Sequence, residues 1–146
     1  MKVLGIEIKG REVRIIALEE NSSGQINDIT GGYKPIKLED DEIAQNVILF
    51  RKSLHATFES FNPDIITIRW RNPKPAKFDQ SEKNLSASPI SFKIEGIIQS
   101  FESADVRLIK PQTSTAFIKK NPLPFKAKYS YQEEALKIAY YQIKNL

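Results

Sequence analysis

The chain has 146 residues, 40% of them hydrophobic and 10% aromatic, which is enough for one substantial core and points to a single domain over residues 1–146. Twenty-two Lys and Arg against eighteen Asp and Glu leave a net charge of +4, which permits an anionic partner without requiring one. The absence of Cys excludes disulfides, thiolate metal sites and thiol nucleophiles; no apolar run is long enough for a bilayer, and charges at Glu7 and Lys9 interrupt the start before a signal-peptide core, so the cytoplasm is the expected location.

Residues 2–8 read as a first strand, and Lys9-Gly10-Arg11 as a tight turn into the β-rich run Val13 to Leu18. Within the first strand, Glu7 interrupts an otherwise apolar run. A carboxylate in such a place costs several kcal/mol or more unless a cation pairs with it or it opens into a cleft. A third strand is expected over Ile26 to Leu38, bulged or at an edge because of Gly31-Gly32 and Pro35. The acidic stretch Glu39 to Glu42 suits a helix N-terminus, and Ile43, Val47, Phe50, Leu54, Phe58 and Phe61 follow at helical spacing.

After Asn62-Pro63-Asp64, the segment Ile65 to Trp70 reads as a fourth, central strand. Alternation places Ile66, Ile68 and Trp70 on one face and Thr67, Arg69 and Arg71 on the other, making Trp70 a core residue. The polar stretch from Arg71 to Ser86 is either a functional loop or a disordered one. Ser88-Pro89 then begins a second helix with Ile90, Ile94, Ile97, Ile98 and Phe101 on its apolar face. Val106 to Ile109 is a short fifth strand, and Thr113 to Lys120 a modest helix that Asn121-Pro122 stops. Ser130 and Glu133 have capping-box spacing for the last helix, whose inward stripe is Ala135, Ile138, Ala139 and Ile143. The lone His55 has no partner spacing for a zinc site.

This β-β-β-α-β-α-β-α order implies a mixed five-stranded sheet with helices on both faces. It resembles the ribonuclease-H-like superfold, and within it the branch of the Holliday-junction resolvase RuvC. Three segments carry the resemblance: Leu4-Gly5-Ile6-Glu7-Ile8-Lys9-Gly10, the Pro-containing segment Lys110 to Lys120, and the helix Glu133-Glu134-Ala135-Leu136-Lys137-Ile138-Ala139. The whole run, with Phe92-Lys93-Ile94-Glu95-Gly96 and Lys119 to Pro124, also resembles a small bacterial family of domains of unknown function.

The resemblance implies that Glu7 points from the central strand into a cleft, meets Glu134 there, and with it holds Mg²⁺, for which Mn²⁺ could substitute. Carboxylate oxygens suit hard divalent cations, and two-metal phosphodiester hydrolysis needs several of them. Resolvase-like enzymes usually carry a further acid near the end of the fourth strand, where this chain has Ile68-Arg69-Trp70-Arg71. A guanidinium there removes an oxygen donor and adds a charge that opposes a cation. Glu133 and Glu95 stand as substitute ligands.

Two readings follow. One is a Mg²⁺-dependent nuclease with Glu7 and Glu134 as catalytic metal ligands and Arg69, Arg71, Lys74 and Lys77 neutralising the phosphates of structured or single-stranded DNA or RNA. The other is a non-catalytic relative that binds nucleic acid or a protein partner through the same cleft. Resolvases act as dimers, so a homodimer belongs to the resemblance. The segment Gly5 to Gly10 also looks like the first phosphate loop of actin-like and sugar-kinase ATPases, but those need a second related domain, and a Walker-type loop is absent.

Overall fold

The computed structural model describes residues 1–73 and 88–146. Among these residues the order is β1 (Lys2–Lys9), β2 (Glu12–Glu20), β3 (Ile26–Asp28), β4 (Ile36–Lys37), α1 (Ala44–Phe61), β5 (Ile65–Arg69), α2 (Pro89–Gln99), β6 (Asp105–Ile109), α3 (Pro111–Lys120) and α4 (Glu133–Lys144). A 3-10 turn at Ser130–Gln132 precedes α4. The strands form one mixed sheet in the order β3-β2-β1-β5-β6, with β4 on a second stretch of β2. β1 and β2 are an antiparallel hairpin turned at Gly10, whose φ of 60° is easy only for glycine, whereas β5 lies parallel to β1 and β6 parallel to β5. No helix among the described residues is long and apolar enough to cross a membrane.

The expected third strand divides into two. β3 pairs with Leu18–Glu20 and β4 with Glu12–Val13, and between them the chain leaves the sheet through Gly31, at φ 64°. Thr30 covers the gap: its hydroxyl accepts the Ala17 N–H at 2.9 Å, so β2 keeps a partner where no strand lies beside it. Among the described residues the sheet thus counts six strands, the expected five with the third in two pieces.

Side-chain alternation divides the interior into two layers. Leu4, Ile6 and Ile8 of β1 face a core with Phe50, Leu54 and Phe58 of α1 and Ile94 and Ile98 of α2. Val3 faces the opposite core, built with Ala135, Leu136, Ala139 and Ile143 of α4. His55 helps to join α1 to α2, its Nε2 lying 2.9 Å from the Ile97 carbonyl oxygen and its ring against Phe58 and Phe101.

α1 starts at Ala44, later than the acidic run suggests, because Asp40 and Asp41 serve the preceding turn instead. Asp40 accepts the Glu42 N–H at 3.1 Å, and Asp41 receives Lys93 of α2 at 2.8 Å. The hydrogen bond from Lys93 holds the Asp41 carboxyl below its ordinary range. The helix ends at Asn62, whose left-handed φ of 51° lets its N–H reach the carbonyls of Phe58 and Glu59.

Of the six glycines, Gly5 is the one packed tightly against another element. A Cβ built there would lie 2.1 Å from the Ala135 carbonyl oxygen and 2.9 Å from the Ala139 Cβ. Glycine at this position lets α4 run directly against the central strand, and that contact fixes where the first turn of α4 begins.

Candidate functional site

The candidate residues of β1, β5 and α4 gather on the α4 side of the sheet. Glu7 follows Gly5 by two residues and so shares its face, and Arg14 stands opposite Glu7 in the β1–β2 register. On β5, Thr67 is opposite Gly5, its hydroxyl donating to the Leu4 carbonyl at 2.8 Å, and Arg69 comes two residues later on the same face. α4 adds Glu134 from its first turn, next to the Ala135 that touches Gly5. Glu7 and Glu134 therefore lie on the same side of the sheet.

Each carboxylate already has a cation beside it. Arg14 Nη1 is 3.4 Å from Glu7 Oε1, and its Nε donates to Glu12 Oε2 at 2.8 Å. Arg69 Nε is 3.3 Å from Glu134 Oε2, too poorly aligned for a hydrogen bond, and Lys137 Nζ donates to Glu134 Oε1 at 3.1 Å. The Glu7 side chain is 13% exposed, so Arg14 is what makes a carboxylate tolerable in the apolar strand. This partner was available from the sequence: a hairpin turning at Gly10-Arg11 that pairs Lys9 with Glu12 necessarily pairs Glu7 with Arg14.

Such a donor set does not fit the two-metal site that the resemblance led us to expect. Three acids, Glu7, Glu12 and Glu134, face three cations, Arg14, Arg69 and Lys137, and no group of three or more potential metal ligands converges among the described residues. A divalent ion would have to displace guanidinium groups from both carboxylates and then complete its shell from few remaining oxygens. The substitute ligands do not help. Glu133 is exposed at the start of α4, and Glu95 is on α2, across the sheet, where it binds Arg71.

Arg71 is a correction to the sequence reading. β5 ends at Arg69, so strand alternation stops there, and Arg71 turns toward α2 instead of following Arg69. Its Nη2 donates to Glu95 Oε1 at 2.7 Å, the guanidinium lies 4.6 Å from the Phe92 ring centre, and the side chain is only 8% exposed. The guanidinium is thereby directed to α2 and away from the face that carries Arg69. Trp70 differs too: it is half-buried outside both cores, with Lys110 Nζ 5.5 Å from its ring centre. Lys74 and Lys77, also expected to meet phosphates, lie outside the described residues.

Two residues that sequence reasoning missed end their hydrogen bonds on backbone carbonyls of β2. Gln132 is buried; its side chain donates to the Ile15 carbonyl at 3.1 Å and accepts the Tyr129 N–H at 3.2 Å. The expected Ser130–Glu133 box is displaced by one residue at each end, since a 3-10 turn intervenes and Gln132 does the reaching back. Tyr33 donates its hydroxyl to the Val13 carbonyl at 2.9 Å, and burial pushes its phenol well above the usual tyrosine range. Neither residue belongs to a sequence motif that could have announced it.

Comparison with known structures places this architecture. RuvC of Thermus thermophilus, solved with a Holliday junction substrate, superposes with a TM-score of 0.67 over 99% of this chain and 97% of its own, at 14% identity. The yeast mitochondrial Holliday junction resolvase Ydc2 gives 0.54 at 15% identity, covering 98% of this chain and 68% of its own, and the Fowlpox virus resolvase bound to Holliday junction DNA gives 0.52 at 16% identity over 100% of both chains. The fold is therefore the RuvC variety of the ribonuclease-H-like fold. A search of curated proteins returned no match. A profile described as a protein of unknown function, DUF3010, matches residues 1–142, and the chain belongs to that family.

Proposed function

We propose that this protein is a non-catalytic relative of the resolvases that binds nucleic acid through the α4 side of its sheet. The observation that carries this reading is Arg69, which stands on the central face of the sheet 3.3 Å from the Glu134 carboxylate. A guanidinium in that position opposes a divalent ion and suits a phosphate. The net charge of +4 supports an anionic partner, as does a fold shared with proteins solved on Holliday junction DNA. Arg69 would serve as a phosphate contact, with Lys74 and Lys77 as further candidates; Arg71 is not among them.

The test is binding of labelled four-way-junction, duplex and single-stranded DNA, and of the corresponding RNA, by fluorescence anisotropy without divalent ions. The expected result is a complex that weakens steeply between 50 and 200 mM salt, because phosphate neutralisation releases counterions. Incubation with Mg²⁺ or Mn²⁺ should leave every substrate intact. No complex at low salt would defeat the binding reading and point to a protein partner. Metal-dependent cleavage abolished by Glu7→Gln or Glu134→Gln would instead establish the Mg²⁺ nuclease, with those two glutamates as its ligands.

A further inference from the structure

A groove of about 430 Å³ opens beside the cleft, lined by Gly31, Gly32, Tyr33 and Lys34 from the β3–β4 connection and by Lys128, Tyr129 and Tyr131 ahead of α4. Its chemistry is unusually uniform. Every lining side chain is aromatic or a lysine, and the glycines leave one wall as bare backbone. Tyr129 and Tyr131 stack with ring centres 5.4 Å apart and planes within 2° of parallel, and Tyr129 is 43% exposed. Lys128 Nζ lies 5.4 Å from the Tyr129 ring centre. The Arg14 guanidinium, the partner of Glu7, lies 6.0 Å from the Tyr131 ring centre, so the groove adjoins the carboxylate cleft. Among the described residues, neither Lys34 nor Lys128 has a carboxylate within salt-bridge distance.

We infer that this groove takes an unpaired nucleotide of a single-stranded segment, its base on the Tyr129–Tyr131 platform and its phosphates on Lys34 and Lys128. Two alternatives fit less well. An apolar peptide would find no aliphatic side chain in the lining, and a neutral ring would leave two lysines without a counter-charge. Flat aromatic faces combined with nearby cations match a base joined to phosphate, and stacking accepts any base. The inference rests on the nucleic-acid reading above and refines it: duplex arms contact the cleft, whereas an unpaired nucleotide occupies the groove.

The test uses the full chain with a phosphorylated thymidine dinucleotide, a single-stranded oligothymidine and a blunt duplex. Ring resonances of Tyr129 and Tyr131 should shift on titration with the dinucleotide. Tyr129→Ala should weaken oligothymidine binding by about 5-fold or more while Tyr129→Phe, which keeps the stacking face, stays near wild type. Lys128→Glu should weaken the same complex and flatten its salt dependence. Duplex affinity should change less than 2-fold in all three variants, which also reports that they are folded. Duplex or junction binding with no single-strand preference, or Tyr129→Ala binding oligothymidine like wild type, would overturn the groove and leave the cleft reading standing. Failure of every nucleic acid to bind would overturn both.

Discussion

Replacing Gly5 by alanine should be one of the most damaging single-methyl additions to this protein. The new Cβ would sit 2.1 Å from the Ala135 carbonyl oxygen, and reaching even 3.0 Å requires α4 to retreat by about 0.9 Å. The obstacle is helix backbone, which cannot rotate away as a side chain can. α4 buries Ala135, Leu136, Ala139 and Ile143 against the sheet, so a retreat loosens that whole layer. Overpacking usually costs 1–3 kcal/mol, and with backbone as the obstacle we expect about 3 kcal/mol or more from a total of roughly 5–15. For a chain of this size that is a fall of roughly 10 °C in Tm. Urea unfolding followed by circular dichroism should show a lower midpoint at an unchanged slope. Gly96→Ala is the control: Gly96 lies inside α2 with nothing within 4 Å of the added methyl, so it should stabilise by about 0.5–1 kcal/mol. Gly5→Ala unfolding within about 0.5 kcal/mol of wild type would refute the claim that this contact sets the position of α4 and of Glu134.

Three further outcomes follow from the buried polar contacts. Gln132→Leu removes the partner of the Ile15 carbonyl and of the Tyr129 N–H, and should cost about 1–3 kcal/mol; equal urea midpoints would show that water replaces both bonds. Glu95→Gln removes the charge facing the nearly buried Arg71 and should cost about 3 kcal/mol, read by a double-mutant cycle with Arg71→Met, in which the loss should largely disappear. Tyr33 holds its proton more tightly folded than unfolded, so its contribution to stability is complete below about pH 10 and declines above it, by up to about 1.4 kcal/mol per pH unit. Between pH 9 and 11.5 the urea midpoint of Tyr33→Phe should fall less steeply than that of wild type; parallel curves would contradict the burial of that phenol.

Much of the fold was legible because its strongest signals are local. The β1–β2 hairpin needs only the turn at Gly10, and α1, α2 and α4 show their apolar periodicity directly. The split of β3 from β4 was less accessible, since it depends on the Thr30 hydroxyl reaching Ala17 from outside the sheet. Arg71 was misplaced because alternation was extended past the end of β5, beyond which side-chain direction follows the nearest partner, here Glu95. In the cleft, the cross-strand pair Glu7–Arg14 was contained in the hairpin register, whereas the pairing of Arg69 with Glu134 joins a strand to a distant helix and needed the packing at Gly5. The tyrosine groove joins segments about a hundred residues apart, and no spacing rule relates them.

The hydrogen bonds of Tyr33 and Gln132 end on carbonyls of the same strand, at Val13 and Ile15. Two residues of extended chain measure about 6.8 Å, so β2 acts as a ruler on which both rims of the groove are hung. Local motion in either connecting segment changes the outline of the opening but leaves these anchorage points at a constant separation. The spacing of those two anchors was set when the sheet formed.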